Sequence, residues 1–249
     1  MAKHIEDEIA YHYDLHPTEE DLMGETMSHT DLIEYLTQVL RWLFHEHTCT
    51  ICKNLNFYQT SNRYEKPLVP DIAVIKGISH RRLKSWRVGR HGPSPQVVFE
   101  VLSSETWQND MEEKPIRYAF MGVQEYFVYD PNETPLVPDT SQRLFGWQLD
   151  NETGVMYPLQ TTSNEYLWSP HLESWLVPDN EYLRLYDRYG QLRLTQAEAE
   201  AQRADHEARR AEVEAQRANR EAKRAEAEAR RAAVLAEELR LLGIDPDTL

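Results

Sequence analysis

Hydrophobic residues along the chain follow two different patterns. Between residues 30 and 44 they fall on one stripe of a helix with 3.6 residues per turn. The segments 71–76, 96–102 and 125–130 are instead apolar at nearly every position. Such short runs are typical of strands buried on both faces of a sheet. Residues 48–58 also have the composition of a strand, so the pattern predicts an α/β fold.

A helix is predicted between the last two of these strands. Asp110 begins it with capping-box character, and Gly122 is suited to end it. Pro115 fits if the helix starts a residue or two later, which places the proline in the first turn. Strand, helix and strand across 96–130 form a βαβ unit, which predicts a parallel pair of strands. From 135 to 194, short strands separated by turns predict antiparallel hairpins that extend the sheet.

The segment from Thr195 to Leu242 has a heptad period. Alanine recurs at alternating spacings of three and four residues, and arginine and glutamate each recur every seven. Residues 1–194 are therefore interpreted as one domain and 195–249 as a heptad helix with a short tail. An alanine seam buries little area. Two interpretations compete, a coiled coil that joins two chains into a homodimer and a single solvated helix, and the apolar residues near its end favour the coiled coil.

The composition of the chain argues against several classes of protein. No apolar run reaches the length of a membrane span, the N-terminus has no apolar signal core, and two cysteines do not make a disulfide framework. We therefore expect a cytoplasmic protein that does not enter a membrane. The net charge of −15, from 42 acids and 27 bases, argues against coating DNA by charge alone.

One local segment is strongly basic. Residues 81–91 lie between two predicted strands and carry five bases and no acid. A solvated surface loop explains such a run as well as a function does. Its position between the strands that carry the candidate site favours contact with phosphate. The candidate DNA contacts are Arg81, Arg82, Lys84, Arg87 and Arg90.

Two acids interrupt the apolar runs, Asp71 at the start of one strand and Glu100 within another. A carboxylate in such a run loses its hydration, which is costly unless a cation compensates it. Mg²⁺ prefers oxygen ligands and keeps several waters, so two carboxylates and the backbone carbonyl of Val101 would suffice. A divalent cation of this kind binds phosphate and lowers the pKa of a water, and a nearby lysine would stabilise developing charge.

These residues resemble a known signature. Pro70-Asp71 followed by Glu100-Val101-Leu102 resembles the PD-(D/E)XK nuclease motif. Longer segments are similar to the family of putative restriction endonucleases abundant in cyanobacteria. They are Val-Pro-Asp-Ile-Ala-Val-Ile-Lys-Gly, Gln-Val-Val-Phe-Glu-Val-Leu-Ser-Ser-Glu-Thr-Trp, Asp110-x-x-x-Lys114-x-x-x-Tyr118 and Met-Gly-Val-Gln-Glu-Tyr-Phe-Val-Tyr-Asp-Pro. Their order and spacing are specific, and the similarity covers roughly residues 20–190.

The resemblance implies a restriction-endonuclease-like mixed sheet flanked by helices, and DNA cleavage that depends on Mg²⁺ or Mn²⁺. It implies that Asp71 and Glu100 are catalytic metal ligands. The usual lysine two residues after the second acid is replaced by Leu102, and the resemblance implies that Lys114 on the following helix takes its place. Glu34 on the first helix is a candidate accessory ligand or supporting group.

Other interpretations of these residues remain open. Asp71 could begin a strand, Asp110 could cap a helix, and Lys114 could be an exposed lysine paired with Asp110. Tyr118 is expected in the core, and His29 is expected to lie at a helix start. A protein with this fold and a weak site could instead act as a scaffold through its C-terminal coiled coil.

A zinc or redox site is a further alternative. His45, His47, Cys49 and Cys52 lie close together in the sequence, at intervals that zinc ligands can have. There is no second cysteine pair, and residues 49 and 52 of a strand point to opposite faces. Buried free thiols are the simpler interpretation.

Overall fold

A computed structural model describes residues 11–15, 27–79, 83–241 and 243. The chain divides into two compact units, residues 1–196 and 197–249. The first unit contains four helices and eleven strands in its described part. The helices are α1 (His12–Leu15), α2 (Met27–Leu43), α3 (Trp107–Glu112) and α4 (Lys114–Met121). The strands are β1 (Cys49–Lys53), β2 (Asn56–Tyr58), β3 (Ile72–Lys76), β4 (Ser85–Arg87), β5 (Val97–Val101), β6 (Glu125–Tyr129), β7 (Leu144–Asp150), β8 (Val155–Pro158), β9 (Leu167–Ser169), β10 (Ser174–Asp179) and β11 (Tyr182–Tyr186).

A six-stranded mixed sheet forms the centre of this unit, with the strand order β1-β3-β5-β6-β7-β8. The β5–β6 pair is parallel, and the other neighbours are antiparallel. The connection from β5 to β6 passes through α3 and α4, because parallel neighbours need a crossover. The parallel pair and the later hairpins of the sequence prediction are therefore confirmed.

Both faces of the sheet are covered, which explains the continuous apolar runs. On one face, Leu36 and Leu40 of α2 pack with Val97 and Phe99. On the other face, Tyr118 of α4 packs with residues such as Val98. Successive side chains of a strand point to opposite faces, so every position of β5 is buried.

Two smaller sheets complete the unit. Strands β9, β10 and β11 form an antiparallel sheet in the order β11-β10-β9. The inward face of this sheet carries Leu176, Leu183 and Leu185, which join the same core as α2. Strands β2 and β4 form a short parallel pair. The predicted single strand over 48–58 is thus wrong in one respect, because Asn54 adopts a left-handed φ of 45° and separates β1 from β2.

The helix predicted from Asp110 is also corrected. Two helices occupy this region, and they meet at Glu113. Asp110 does not begin a helix; it lies buried inside α3, whose N-cap is Thr106. Pro115 lies in the first turn of α4, where its missing N–H costs no helical hydrogen bond. Gly122 ends α4 with a left-handed φ of 85°, as the sequence predicted.

The second unit consists mainly of the continuous helix α5 (Gln196–Leu241). None of its residues is buried in the structure. Ion pairs four residues apart lie along it, such as Arg209 with Asp205 and Arg217 with Glu221. No helix in the described ranges has the length and apolar character needed to cross a membrane.

Candidate active site

The register of the central sheet brings Asp71 and Glu100 side by side. Strands β3 and β5 are antiparallel, and Ile72 pairs with Phe99. Asp71 immediately precedes Ile72, so continuing the ladder by one position places it opposite Glu100. The two acids are 29 positions apart in the sequence. In the fold they are therefore neighbours on adjacent strands, at the point where β3 begins.

Glu100 points to the sheet face that α3 and α4 cover. Its side chain is only 3% exposed. The hydroxyl of Tyr118 donates a hydrogen bond to Glu100 Oε1 at 2.7 Å. The ammonium of Lys114 lies 2.8 Å from the same oxygen. The Glu100 carboxylate on β5 therefore has two partners, Lys114 and Tyr118, and both come from helix α4.

Lys114 also binds a second acid. Its Nζ lies 2.6 Å from Asp110 Oδ1, and the lysine side chain is 13% exposed. The other oxygen of Asp110 accepts a hydrogen bond from the Thr106 hydroxyl at 2.8 Å. The break between α3 and α4 falls between Asp110 and Lys114, and the pair spans it. Lys114 is therefore a largely buried bridge between two carboxylates, and the interpretation of it as an exposed surface lysine is wrong.

Asp71 is positioned from the opposite side. Its Oδ2 accepts a hydrogen bond from the backbone N–H of Val101 at 2.6 Å. The Nε2 atom of His29, on α2, lies 3.6 Å from that oxygen. The side chains of Asp71 and His29 are 14% and 12% exposed. The Asp71 carboxylate therefore lies close to the β5 backbone, with the imidazole at its edge.

Burial dominates the electrostatics of the cluster. Desolvation raises the pKa of Glu100 to about 8; Lys114 opposes this rise, and the charges of Asp71 and Asp110 add to it. Desolvation by itself lowers the pKa of the Lys114 ammonium, but the charges of Glu100 and Asp110 outweigh it and leave that pKa above its usual value. Two acids, Glu100 and Asp110, thus contact one ammonium in a poorly solvated place, and the raised pKa of Glu100 means that this carboxyl holds a proton readily.

A hard divalent cation fits this donor set. Asp71 and Glu100 supply two adjacent carboxylates, and the cluster formed by the described residues has three acids and one ammonium, an excess of negative charge that a cation would neutralise. Among the described residues, no group of three His, Cys, Asp or Glu side chains is arranged as metal ligands. Two carboxylates with a carbonyl such as that of Val101 match Mg²⁺, which completes its shell with water and substrate oxygens.

The remaining candidate residues lie elsewhere. The Glu34 carboxylate is paired with the Lys53 ammonium and accepts a hydrogen bond from Gln38. Neither of these partners belongs to the cluster around Glu100, so the accessory role of Glu34 stays a prediction.

The described residues of the basic segment 81–91 differ in their exposure to solvent. Arg81 and Arg82 lie outside the described residues, and Lys84 and Arg90 are exposed. Arg87 is only 8% exposed, and its guanidinium lies 5.2 Å from the ring centroid of Tyr11. Burial against an aromatic ring does not favour contact between this guanidinium and a DNA backbone, and the DNA contact at Arg87 stays a prediction.

The two cysteines of β1 do not favour a shared zinc site. Both are free, Cys49 packs against the core on the α2 face, and Cys52 packs against the core on the α4 face. Burial raises the pKa of each thiol to about 11, which disfavours the thiolate that zinc binds.

Tyr118 lies in the core and His29 in the first turn of α2, as their sequence positions predict, whereas Asp110 is not the expected helix cap. The sequence pattern favours Asp110 as a helix cap, Tyr118 as a core residue and His29 as a helix-start residue. Tyr118 is buried, but its hydroxyl serves Glu100. The recurrence of Asp110, Lys114 and Tyr118 at intervals of four is the signal that places them on one side of a helical segment.

Comparison with known proteins identifies the family of the chain. The model of the Uma2 family, described as "Putative restriction endonuclease", matches residues 5–165. The chain belongs to this family, and the restriction-endonuclease-like fold predicted from the sequence is confirmed.

Among solved structures, the chain is similar to one described as a putative nuclease belonging to DUF820 from Anabaena variabilis. The two are 15% identical, with a TM-score of 0.43, and the match covers 60% of this chain and 76% of that one. No curated protein matches the chain.

Proposed function

We propose that this chain is an endonuclease that hydrolyses DNA phosphodiester bonds and depends on Mg²⁺ or Mn²⁺. The observation that carries the proposal is the buried ion pair between Glu100 and Lys114. This pair lies beside Asp71, which immediately precedes β3. Membership in a family described as restriction endonucleases supports nuclease chemistry and DNA as the substrate.

Each residue has a role that follows from its position. Asp71, Glu100 and the carbonyl of Val101 would hold the cation. When bound, the cation would bind a phosphate oxygen and lower the pKa of a water. Lys114 would direct its ammonium toward the attacking water or the charge that develops on the phosphate. Tyr118 holds Glu100 in place through its hydroxyl.

The displaced lysine is compatible with this chemistry. Leu102, which occupies the usual lysine position, is 2% exposed and belongs to the core beneath α4. The ammonium of Lys114 nevertheless lies within 2.8 Å of Glu100 Oε1. The proposed role of Lys114 is supported by where its ammonium lies in the fold, although the residue is not at the usual lysine position in the sequence.

Plasmid cleavage tests the proposal. Supercoiled plasmid is incubated with the purified protein and Mg²⁺ or Mn²⁺, and nicked and linear products are followed over time. We expect cleavage by the wild type and at least a hundredfold loss of rate in Asp71→Asn and Lys114→Met, as for other charged groups at reacting centres. The control is Lys223→Met, because Lys223 is an exposed side chain of helix α5. An intact plasmid with wild type, or equal rates in all variants, would contradict the proposal for this substrate.

A homodimer is a separate part of the proposal. Helix α5 exposes apolar side chains near its end, with Val234 at 59%, Leu235 at 60% and Leu241 at 81% exposure. Monomeric proteins rarely leave such a group in water. We expect the wild-type chain to sediment as a dimer and Leu235→Lys to shift it toward monomer. A wild-type monomer at all concentrations would favour the solvated single helix.

A further inference from the structure

The antiparallel sheet β9-β10-β11 carries a row of aromatic side chains on the face turned away from the core. Trp175 of β10 pairs in register with Trp168 of β9 and with Tyr186 of β11. All three are half-buried, whereas the leucines next to them in sequence are buried. The two indole rings have centroids 5.3 Å apart and are inclined by 63°.

This row borders a groove of about 510 Å³. Trp175 and Tyr186 line one side of the groove, and Tyr166 and Asn164 line it from the loop before β9. Arg188, which follows β11, also lines it. The groove thus combines three aromatic rings with one guanidinium and one amide, within the volume range of ligand sites.

The residues that line the groove differ in charge from the chain as a whole. The chain has 42 acids and 27 bases, yet the described residues that line the groove include no acid. Arg188 pairs with Glu173, which is not among the lining residues, at 3.5 Å. These two side chains are 59% and 69% exposed, and such surface pairs contribute little stability. An anionic ligand can therefore compete for this guanidinium.

We propose that this groove binds an unpaired nucleotide of single-stranded nucleic acid. The base stacks against Trp175 and Tyr186, and Arg188 binds the adjoining phosphate. Aromatic platforms with a nearby cation bind single strands of any sequence, because every base presents a flat π-face. The bases of a duplex are stacked on each other and present no free face. Binding here does not depend on the acid cluster, so this proposal is independent of the cleavage proposal.

The test measures binding with cleavage suppressed. A fluorescently labelled oligothymidylate and a duplex of equal length are titrated with the full chain in EDTA, and anisotropy is recorded. We expect the single strand to bind more tightly than the duplex. We expect Tyr186→Leu to weaken single-strand binding roughly tenfold, the effect of losing one stacking platform. Arg188→Ala should weaken it severalfold and reduce its salt dependence.

Two controls separate the groove from other effects. Arg63→Ala removes one exposed arginine that lies over Tyr64 rather than in the groove, and it should bind as the wild type does. Asp150→Asn, a change in the exposed turn that joins β7 and β8, should also keep single-strand affinity. Thermal unfolding confirms that each variant is folded. Stronger binding of the duplex, or unchanged single-strand affinity in both Tyr186→Leu and Arg188→Ala, would overturn the proposal.

Discussion

Replacing Lys114 with methionine removes the ammonium that pairs with Glu100 and Asp110 while keeping the length of the side chain. In the wild type, the ammonium lies 2.6 Å from Asp110 and 2.8 Å from Glu100, whose side chains are 2% and 3% exposed. Removing one partner of a buried ion pair costs about 3–5 kcal/mol, because a desolvated charge is left without compensation. We therefore expect Lys114→Met to lower the free energy of unfolding by this amount at pH 7.

The pH dependence of this loss follows from the cost of protonation. The variant can relieve the unpaired charge by binding a proton at a carboxyl group. For an aspartate with an unfolded pKa of about 3.9, this costs roughly 4 kcal/mol at pH 7 and roughly 1.5 kcal/mol at pH 5. A carboxyl whose pKa is raised in the folded state loses stability as the pH rises. The destabilisation by Lys114→Met should therefore shrink as the pH falls from 7 to 5.

Urea unfolding of the metal-free protein at the two pH values measures both effects. Adding Asp110→Asn to Lys114→Met should recover much of the lost stability, because one uncompensated acid is then neutral. Lys53→Met is the matched control, since the exposed Lys53–Glu34 pair should contribute less than about 1 kcal/mol. A loss at Lys114 no larger than that at Lys53, or no recovery in the double variant, would refute the buried network.

Three further predictions concern other contacts. Burial raises the pKa of Glu125 to about 7, so its ionisation costs stability as the pH rises from 4.5 to 7. Urea unfolding at pH 8 should therefore show that Glu125→Gln is more stable than the wild type. Equal or lower stability of the variant would contradict this. Tyr118→Phe removes the hydroxyl that donates to Glu100, so plasmid cleavage should slow about tenfold, the effect of about 1.4 kcal/mol, and an unchanged rate would exclude a positioning role. Gly146→Ala would place its Cβ 2.7 Å from a side-chain carbon of Leu167; thermal unfolding should reveal a loss of about 1–3 kcal/mol, and wild-type stability would show that the leucine moves freely.

Much of the sheet could be predicted because its signal is local. The runs that became β3, β5 and β6 are apolar at consecutive positions, and both faces of these strands are covered. The break between β1 and β2 was missed because it depends on Asn54 alone. Asparagine tolerates the left-handed conformation found there, but nothing in the apolar pattern marks it.

The candidate site was less predictable than the fold because it joins distant segments. The strand acids Asp71 and Glu100 were recognisable from the apolar residues around them. The pairing of Asp110 with Lys114 follows from their spacing of four residues, but its burial beside Glu100 could not be predicted, because the local pattern does not show which strand this helical segment packs against. His29 comes from a helix whose apolar stripe gives no information on which strand end it reaches.

Calorimetric titration of Mn²⁺ into the full chain at pH 7 tests most directly whether Asp71 and Glu100 form one cation site. We predict that the wild type binds the ion and that Asp71→Asn and Glu100→Gln each weaken binding at least tenfold. Asp150→Asn, a change in an exposed turn that joins β7 and β8, should bind Mn²⁺ as the wild type does. A wild type that gives no binding heat, or that binds no more tightly than the two site variants, would contradict the account.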